Sequence, residues 1–411
     1  MSSSARPFRW RSVILVALLP TALFSIGEGA IIPVLPVVAG NVGATLAVAG
    51  LVGAALLFGA VLGDIPSGLL VARIGERAAM LGAAVVAVLG TATAFFAPNP
   101  LVLAIGVLVL GIATAVFALA RHAMMTTFVP LTHRARALST LGGTFRFGYL
   151  VGPFIGAATI QLTGSVASVF VVQIICCLLA IVVLVFFGEP TRAFGVTDPI
   201  AKTGAIEVQA EARGLFTTIK ANRHILLTLG VGSMLVAALR GSRQVVLPLW
   251  AVSIGLDETT TSVIIGVAGA VDFSLFFAGG WIMDRFGRLW IAVPSMLGLG
   301  IGHLVLSFTH DLSGAGTWFT VIAMFLSLAN GIGAGILMTL GADLADPRHP
   351  APFLGAWRFT NDTGAALAPL VVAGLTALVS LSFAVGALGV LGLIGAVILR
   401  VYVPRYAAPR G

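Results

Sequence analysis

Nine ionisable side chains fall inside apolar runs of this chain: Glu28, Asp64, Arg121, Arg146, Arg240, Arg243, Asp272, Arg358 and Asp362. A charge in a hydrocarbon setting costs at least a few kcal/mol, so each is a functional candidate. Glu28 stands between Gly27 and Gly29, five residues ahead of Pro33. The two glycines leave room beside the carboxylate for water or a ligand. Burial favours the neutral acid, which makes Glu28 a candidate proton carrier; a permanent ion pair with Arg121 or Arg146 is the alternative. Asp272 is the second candidate proton carrier. Asp64, close to a loop and to Pro66, fits better as the partner of an arginine. Arg240 and Arg243 are three residues apart and diverge by about 60° around a helix. One is therefore expected to face a cavity while the other pairs with Asp272 or Asp362. Gln244 shares the Arg240 face. Arg358 and Asp362, four apart, can pair on one helix face, with Asn361 between them. Five arginines against four carboxylates leave a near-neutral interior, open to neutral amphipaths or weak organic anions.

The elements that position these groups are membrane helices. Hydrophobic residues make up 59% of the 411, charged ones 9%, and the mean hydropathy is +1.09. A soluble domain carries about 25% charged residues. Twelve spans are expected, roughly 12–38, 44–72, 78–97, 101–126, 137–161, 166–187, 224–252, 260–283, 289–308, 316–343, 352–377 and 381–403. Alternate connections carry the arginines (Arg73 and Arg77, Arg134 and Arg136, Arg285 and Arg288, Arg348, and Arg400, Arg405 and Arg410), while the opposite loops contain no Lys or Arg. Under the positive-inside rule this puts both termini in the cytoplasm. It also accounts for the net charge of +8 without nucleic acid. Arg6, Arg9 and Arg11 precede a first apolar run with no small-residue cleavage site, which reads as a retained helix. The 50 glycines suit close helix packing, and Gly331-Ile332-Gly333-Ala334-Gly335 reads the same way. Adjacent Cys176 and Cys177 read as inert thiols, and the dispersed histidines show no metal-ligand spacing. The polar stretch 189–223 divides the chain, with 214–220 able to form an interfacial helix. The fold expected is an all-α membrane protein of twelve helices in two pseudo-symmetric six-helix bundles, 1–188 and 224–411, joined by the cytoplasmic linker 189–223.

Two motif pairs support that division. Gly68, Arg73, Gly75 and Arg77 recur as Gly280, Arg285, Gly287 and Arg288 in the loops after the second and eighth spans. Phe145-Arg146-Phe147 with Gly152 recurs as Trp357-Arg358-Phe359 with Gly364 in the fifth and eleventh spans. Internal repeats of this kind characterise secondary transporters, whose site lies near the midplane between the halves.

Together these residues resemble the major facilitator superfamily over essentially the whole chain. Gly280-x-x-x-Asp284-Arg285-x-Gly287-Arg288 is similar to its loop signature, a latch between the halves; Ala72 replaces the corresponding Asp of the first copy, so Asp284 should carry more of the latch. Gly148-x-x-x-Gly152-Pro153-x-x-Gly156 resembles the motif of the twelve-span drug/proton antiporter branch, although Val107 stands where that branch has an Arg near Gly111. The resemblance implies a secondary transporter working by alternating access. The expected activity is proton-coupled efflux of small amphipathic molecules, with Glu28 and Asp272 carrying protons and Arg121, Arg146, Arg240 and Arg358 orienting substrate or holding those carboxylates. It implies no enzyme activity, no cofactor beyond protons as coupling ion, a small-molecule substrate and lipid as partners, and a monomer in the cell membrane. The alternatives are a proton symporter or uniporter for a metabolite or organic anion, and a transport-inactive receptor or scaffold on the same fold.

Overall fold

The structure, a computed structural model, describes residues 13–129, 131–187, 218–345 and 350–406. Twelve helical segments follow one another with short connections. They are α1 Ile14–Asn41, α2 Leu46–Ile74, α3 Glu76–Phe95, α4 Pro100–Phe128, α5 Leu131–Thr163 and α6 Ser168–Phe187 in the first half. The second half has α7 Arg223–Ser253, α8 Glu258–Phe286, α9 Leu289–Leu306, α10 Ala315–Leu344, α11 Pro350–Leu378 and α12 Leu381–Tyr406. No strand occurs among the described residues. Eleven of the segments are long and apolar enough to cross a membrane. The other, α5, has 33 residues and carries Arg136 and Arg146 in its first half. Most of the linker, including the start of the expected interfacial helix, lies outside the described residues, as do Arg6, Arg9, Arg11, Arg348 and Arg410.

Local chemistry sets the helix ends. Thr45, Asn99 and Asp257 each accept a hydrogen bond from the backbone N–H three residues on, capping α2, α4 and α8. At the arginine-bearing loops the chain reverses on Gly75 and Gly287, at φ +82° and +93°, a conformation that only glycine adopts at little cost. These equivalent turns make the repeat visible in the backbone.

Glycine also sets how closely the helices approach. A Cβ on Gly111 of α4 would fall 2.1 Å from the Leu56 carbonyl oxygen of α2. One on Gly152 of α5 would fall 2.4 Å from the Ile26 carbonyl oxygen of α1. In the second half, a Cβ on Gly364 of α11 would collide with the Met234 carbonyl oxygen of α7 in the same way. Between the halves, α5 packs against α8, and α2 against α11 and α7. Outward faces stay apolar; Leu89, Phe186 and Met338 are more than half exposed, as lipid contact requires.

One stretch departs from the sequence expectation. Gly331–Gly335 does more than pack a continuous helix: α10 is broken into Ala315–Ile332 and Ile336–Leu344, with Gly335 at φ +85°. Within α1, Ile32–Val34 tightens to a 3₁₀ turn at Pro33.

The Gly152 seam gives a prediction. Gly152→Ala must part α1 from α5, at an overpacking cost of about 1–3 kcal/mol. Gly142→Ala, on the same helix with nothing within 4 Å of the added carbon, should leave stability unchanged. Melting of the two purified variants checks this, with a drop for Gly152→Ala alone.

Candidate functional site

The two halves are in register to the residue. Gly68 and Gly280, Gly75 and Gly287, Arg146 and Arg358, and Gly152 and Gly364 are all 212 positions apart (280 less 68, and so on). Arg146 and Arg358 are thus copies of one another, and each forms an ion pair with the opposite half. Arg146 of α5 donates to Asp272 of α8 at 2.9 Å. Arg358 of α11 donates to Asp64 of α2 at 3.2 Å and to Asp362, one turn along its own helix, also at 3.2 Å. The expected pairings of Asp64 with an arginine and of Arg358 with Asp362 both form. The Asp272 bridge is the more buried, with side-chain exposures of 24% and 13% against 53% and 28% for Arg358 and Asp64.

Between the halves lies a cavity of about 270 Å³. Its polar lining is Arg146, Tyr149, Arg240, Arg243, Gln244, Asp272 and Asn330, and its apolar lining includes Phe145, Leu150, Leu247 and Ile265. Asp272 accepts from Asn330 at 2.7 Å as well as from Arg146. The expectation that Arg240 and Arg243 would divide between the cavity and a carboxylate is corrected: both line the cavity, and the direct hydrogen bonds of both go to neutral acceptors. Their side chains are long enough to overcome a 60° divergence at the backbone. Arg240 donates to the Gly333 carbonyl at 2.6 Å, a group exposed by the break in α10, and Arg243 donates to the Ser327 hydroxyl at 2.6 Å.

Glu28 is 2% exposed, just behind this cavity. One carboxylate oxygen accepts from Thr114 of α4 at 3.3 Å; the other has no hydrogen-bond partner. The Tyr149 hydroxyl, the Arg121 guanidinium and the Cys177 thiol are also neighbours. Arg121 also lies over the Phe145 ring, 4.9 Å from its centroid, a favourable cation–π placement. Of the two ion-pair partners considered for Glu28, Arg146 is excluded by its bridge to Asp272, and Arg121 remains an electrostatic neighbour. Tyr149 therefore has Glu28 on one side and the cavity on the other. Sequence reasoning missed it, although a tyrosine within a span, three residues after Arg146, was a usable signal.

Of the other candidates, only Pro153 lines the cavity. Asn361 is held by the Ser233 hydroxyl of α7. Gly148, Gly152 and Gly156 press on Ser25, Ile26 and Ala30 of α1, and Pro153 lines the cavity beside them. In the loop motifs, Arg77 donates to the terminal carbonyls of Leu184 and Val185 on α6. Arg288 pairs with Asp343 of broken α10 at 2.8 Å. Asp284, Arg73 and Arg285 are exposed. Asp284, expected to carry the latch, lies near Arg288, whose direct partner is Asp343. Gly68 is buried within α2, and Gly280 has open space beside it.

Twelve helices in two repeated halves around a polar central cavity define a secondary transporter. The sequence profile of the Major Facilitator Superfamily matches residues 17–271 and 229–411, and the chain belongs to that superfamily. No curated protein matches it. Among solved structures it resembles a D-xylose-proton symporter at a TM-score of 0.74 and 16% identity, over 96% of this chain and 98% of that one. It resembles the inward-open xylose transporter from E. coli at 0.73 and 16%, over 96% and 97%. A POT family transporter in complex with a thioalcohol-conjugated peptide matches at 0.77 and 15%, over 96% of both chains. At these identities the likeness is one of fold.

The two carboxylates on Arg358 are unequal in consequence. Arg358→Gln leaves Asp64 and Asp362 facing each other, whereas Asp362→Asn keeps the bridge between halves and removes an exposed pair worth about 1 kcal/mol or less. Arg358→Gln should lower the melting temperature more than Asp362→Asn. The opposite order would mean that the pair within α11 matters more than the bridge.

Proposed function

We propose that this transporter exports small amphipathic molecules in exchange for protons, with Glu28 as the group that takes up and releases the proton. The observation that carries the reading is the placement of Glu28. It is a buried acid beside Tyr149, and Tyr149 lines the central cavity. A proton can reach it through the cavity, and a substrate that displaces Tyr149 alters its surroundings directly. Arg121 stands ready to stabilise the deprotonated carboxylate. The glycine seam of α5 against α1 lets the helix bearing Tyr149 shift against the helix bearing Glu28 without side chains colliding. Asp272 is a second acid in the path. Its bridge to Arg146 ties it to the contact between the halves. The protein works as a monomer in the cell membrane with both termini cytoplasmic, the orientation that the arginine-bearing loops support.

The test uses proteoliposomes loaded with a pH-sensitive dye and a panel of uncharged, cationic and anionic amphipaths. Wild-type protein should move protons when a transported amphipath is added. Glu28→Gln should abolish that movement yet keep the thermal stabilisation by the same compound. Proton movement undiminished in Glu28→Gln would exclude Glu28 as the carrier.

A further inference from the structure

We propose that the central cavity selects amphipathic organic anions and holds the carboxylate head of its substrate between Arg240 and Arg243. This rests on the reading of the cavity as the transport path and adds the charge class of the cargo.

The argument begins with charge. The cavity wall contains three guanidinium groups, on Arg146, Arg240 and Arg243, and a single carboxylate, Asp272. That carboxylate is already engaged, one oxygen by Arg146 and the other by Asn330. Arg240 and Arg243 hydrogen-bond only neutral acceptors in the hydrogen bonds described, the Gly333 carbonyl and the Ser327 hydroxyl. The Nε of Arg240 is buried with no partner at all. Among the described residues, Asp272 is the one carboxylate acting on both guanidinium groups, and it is already bridged to Arg146, so three guanidinium groups share one carboxylate; such charges at depth mark substrate or ion paths.

Geometry adds to this. Guanidinium groups bind carboxylates through paired N–H donors, and Arg240 and Arg243 are one helical turn apart on α7 with Gln244 beside them. The carbonyl holding Arg240 belongs to the broken stretch of α10, so the arginine can exchange it for a better acceptor without disrupting a helical hydrogen bond. Phe145, Leu150, Leu247 and Ile265 leave an apolar wall for the rest of the molecule. A cation would find no free carboxylate here.

The repeat explains the polarity. Arg240 stands 212 residues after Glu28, at the equivalent position of the second half, and Gly333 stands 212 after Arg121. The first half sets an acid on its first helix against an arginine on its fourth. The second half puts an arginine at the acid's place and, at the arginine's, a glycine whose carbonyl accepts from that arginine and from the Ile336 N–H. Proton site and anion site thus occupy equivalent places on either side of one cavity.

The experiment measures binding of three probes of one shape to the purified protein: 2-naphthoate, 2-naphthamide and 2-naphthylmethylammonium. Naphthoate should bind and raise the melting temperature, and the neutral and cationic probes should bind far more weakly. Loss of a charged hydrogen bond in Arg240→Gln or Arg243→Gln should weaken naphthoate binding by about tenfold or more each. Arg240→Lys and Arg243→Lys, which keep the charge and lose the fork, should fall between these and wild type. Stabilisation by all three probes alike, preference for the ammonium probe, no binding of naphthoate, or unchanged naphthoate affinity in both Gln variants would overturn the proposal. Because binding needs no proton gradient, failure of Glu28 as carrier leaves this result standing. Loss of the anion preference with intact proton exchange would overturn this inference alone.

Discussion

Arg146 lies at depth with a counter-charge supplied from the opposite half. Desolvating a guanidinium costs several kcal/mol unless it meets a well-placed carboxylate, so the Arg146–Asp272 bridge at 2.9 Å fixes how α5 meets α8. The repeat supplies a second bridge, Arg358 to Asp64, which fixes α11 against α2. The acids are not at equivalent positions: Asp64 is 11 residues before Gly75, and Asp272 is 15 before Gly287 (75 less 64, 287 less 272), about one helical turn apart. One bridge therefore falls in the cavity wall and the other nearer the arginine-bearing loops. Any rocking of the halves must stretch or exchange both.

Small residues permit that rocking. Backbones meet at Gly29, Gly148 and Gly152 in one half and at Gly241 and Gly364 in the other. Such seams slide because no side chain interlocks across them. The break in α10 adds a joint: Arg240 holds its Gly333 carbonyl from the cavity side, while Arg288 holds Asp343 on the segment beyond. Occupancy of the cavity and the loop motif thus act on two ends of one short helix.

The sequence made much of this legible, for physical reasons. Twelve spans follow from hydropathy and from arginines confined to alternate loops, and the repeat follows from motifs spaced alike. The intrahelical pair Arg358–Asp362 follows from four-residue spacing. What remained hidden depends on distant chain. Nothing local to Arg146 says that Asp272 will neutralise it rather than Glu28. Nothing local to Gly333 says that α10 opens there, because a glycine run satisfies helix packing and helix breaking alike. The near-neutral count of five arginines and four carboxylates was correct as a sum. It concealed the sorting of charges into an acid site at Glu28, a mixed cluster at Arg358 and an arginine-rich cavity.

The central claim is that the ionic bridge in the cavity wall sets how the two halves stand. Spin labels at positions 142 and 280, both with open space, with Cys176 and Cys177 replaced by alanine, report the distance between α5 and α8 toward their arginine-bearing ends. The account predicts that Asp272→Asn shifts the distance distribution and that adding Arg146→Gln to the same chain restores much of the wild-type one, since the uncompensated charge is then gone. A distribution indifferent to Asp272→Asn would contradict it.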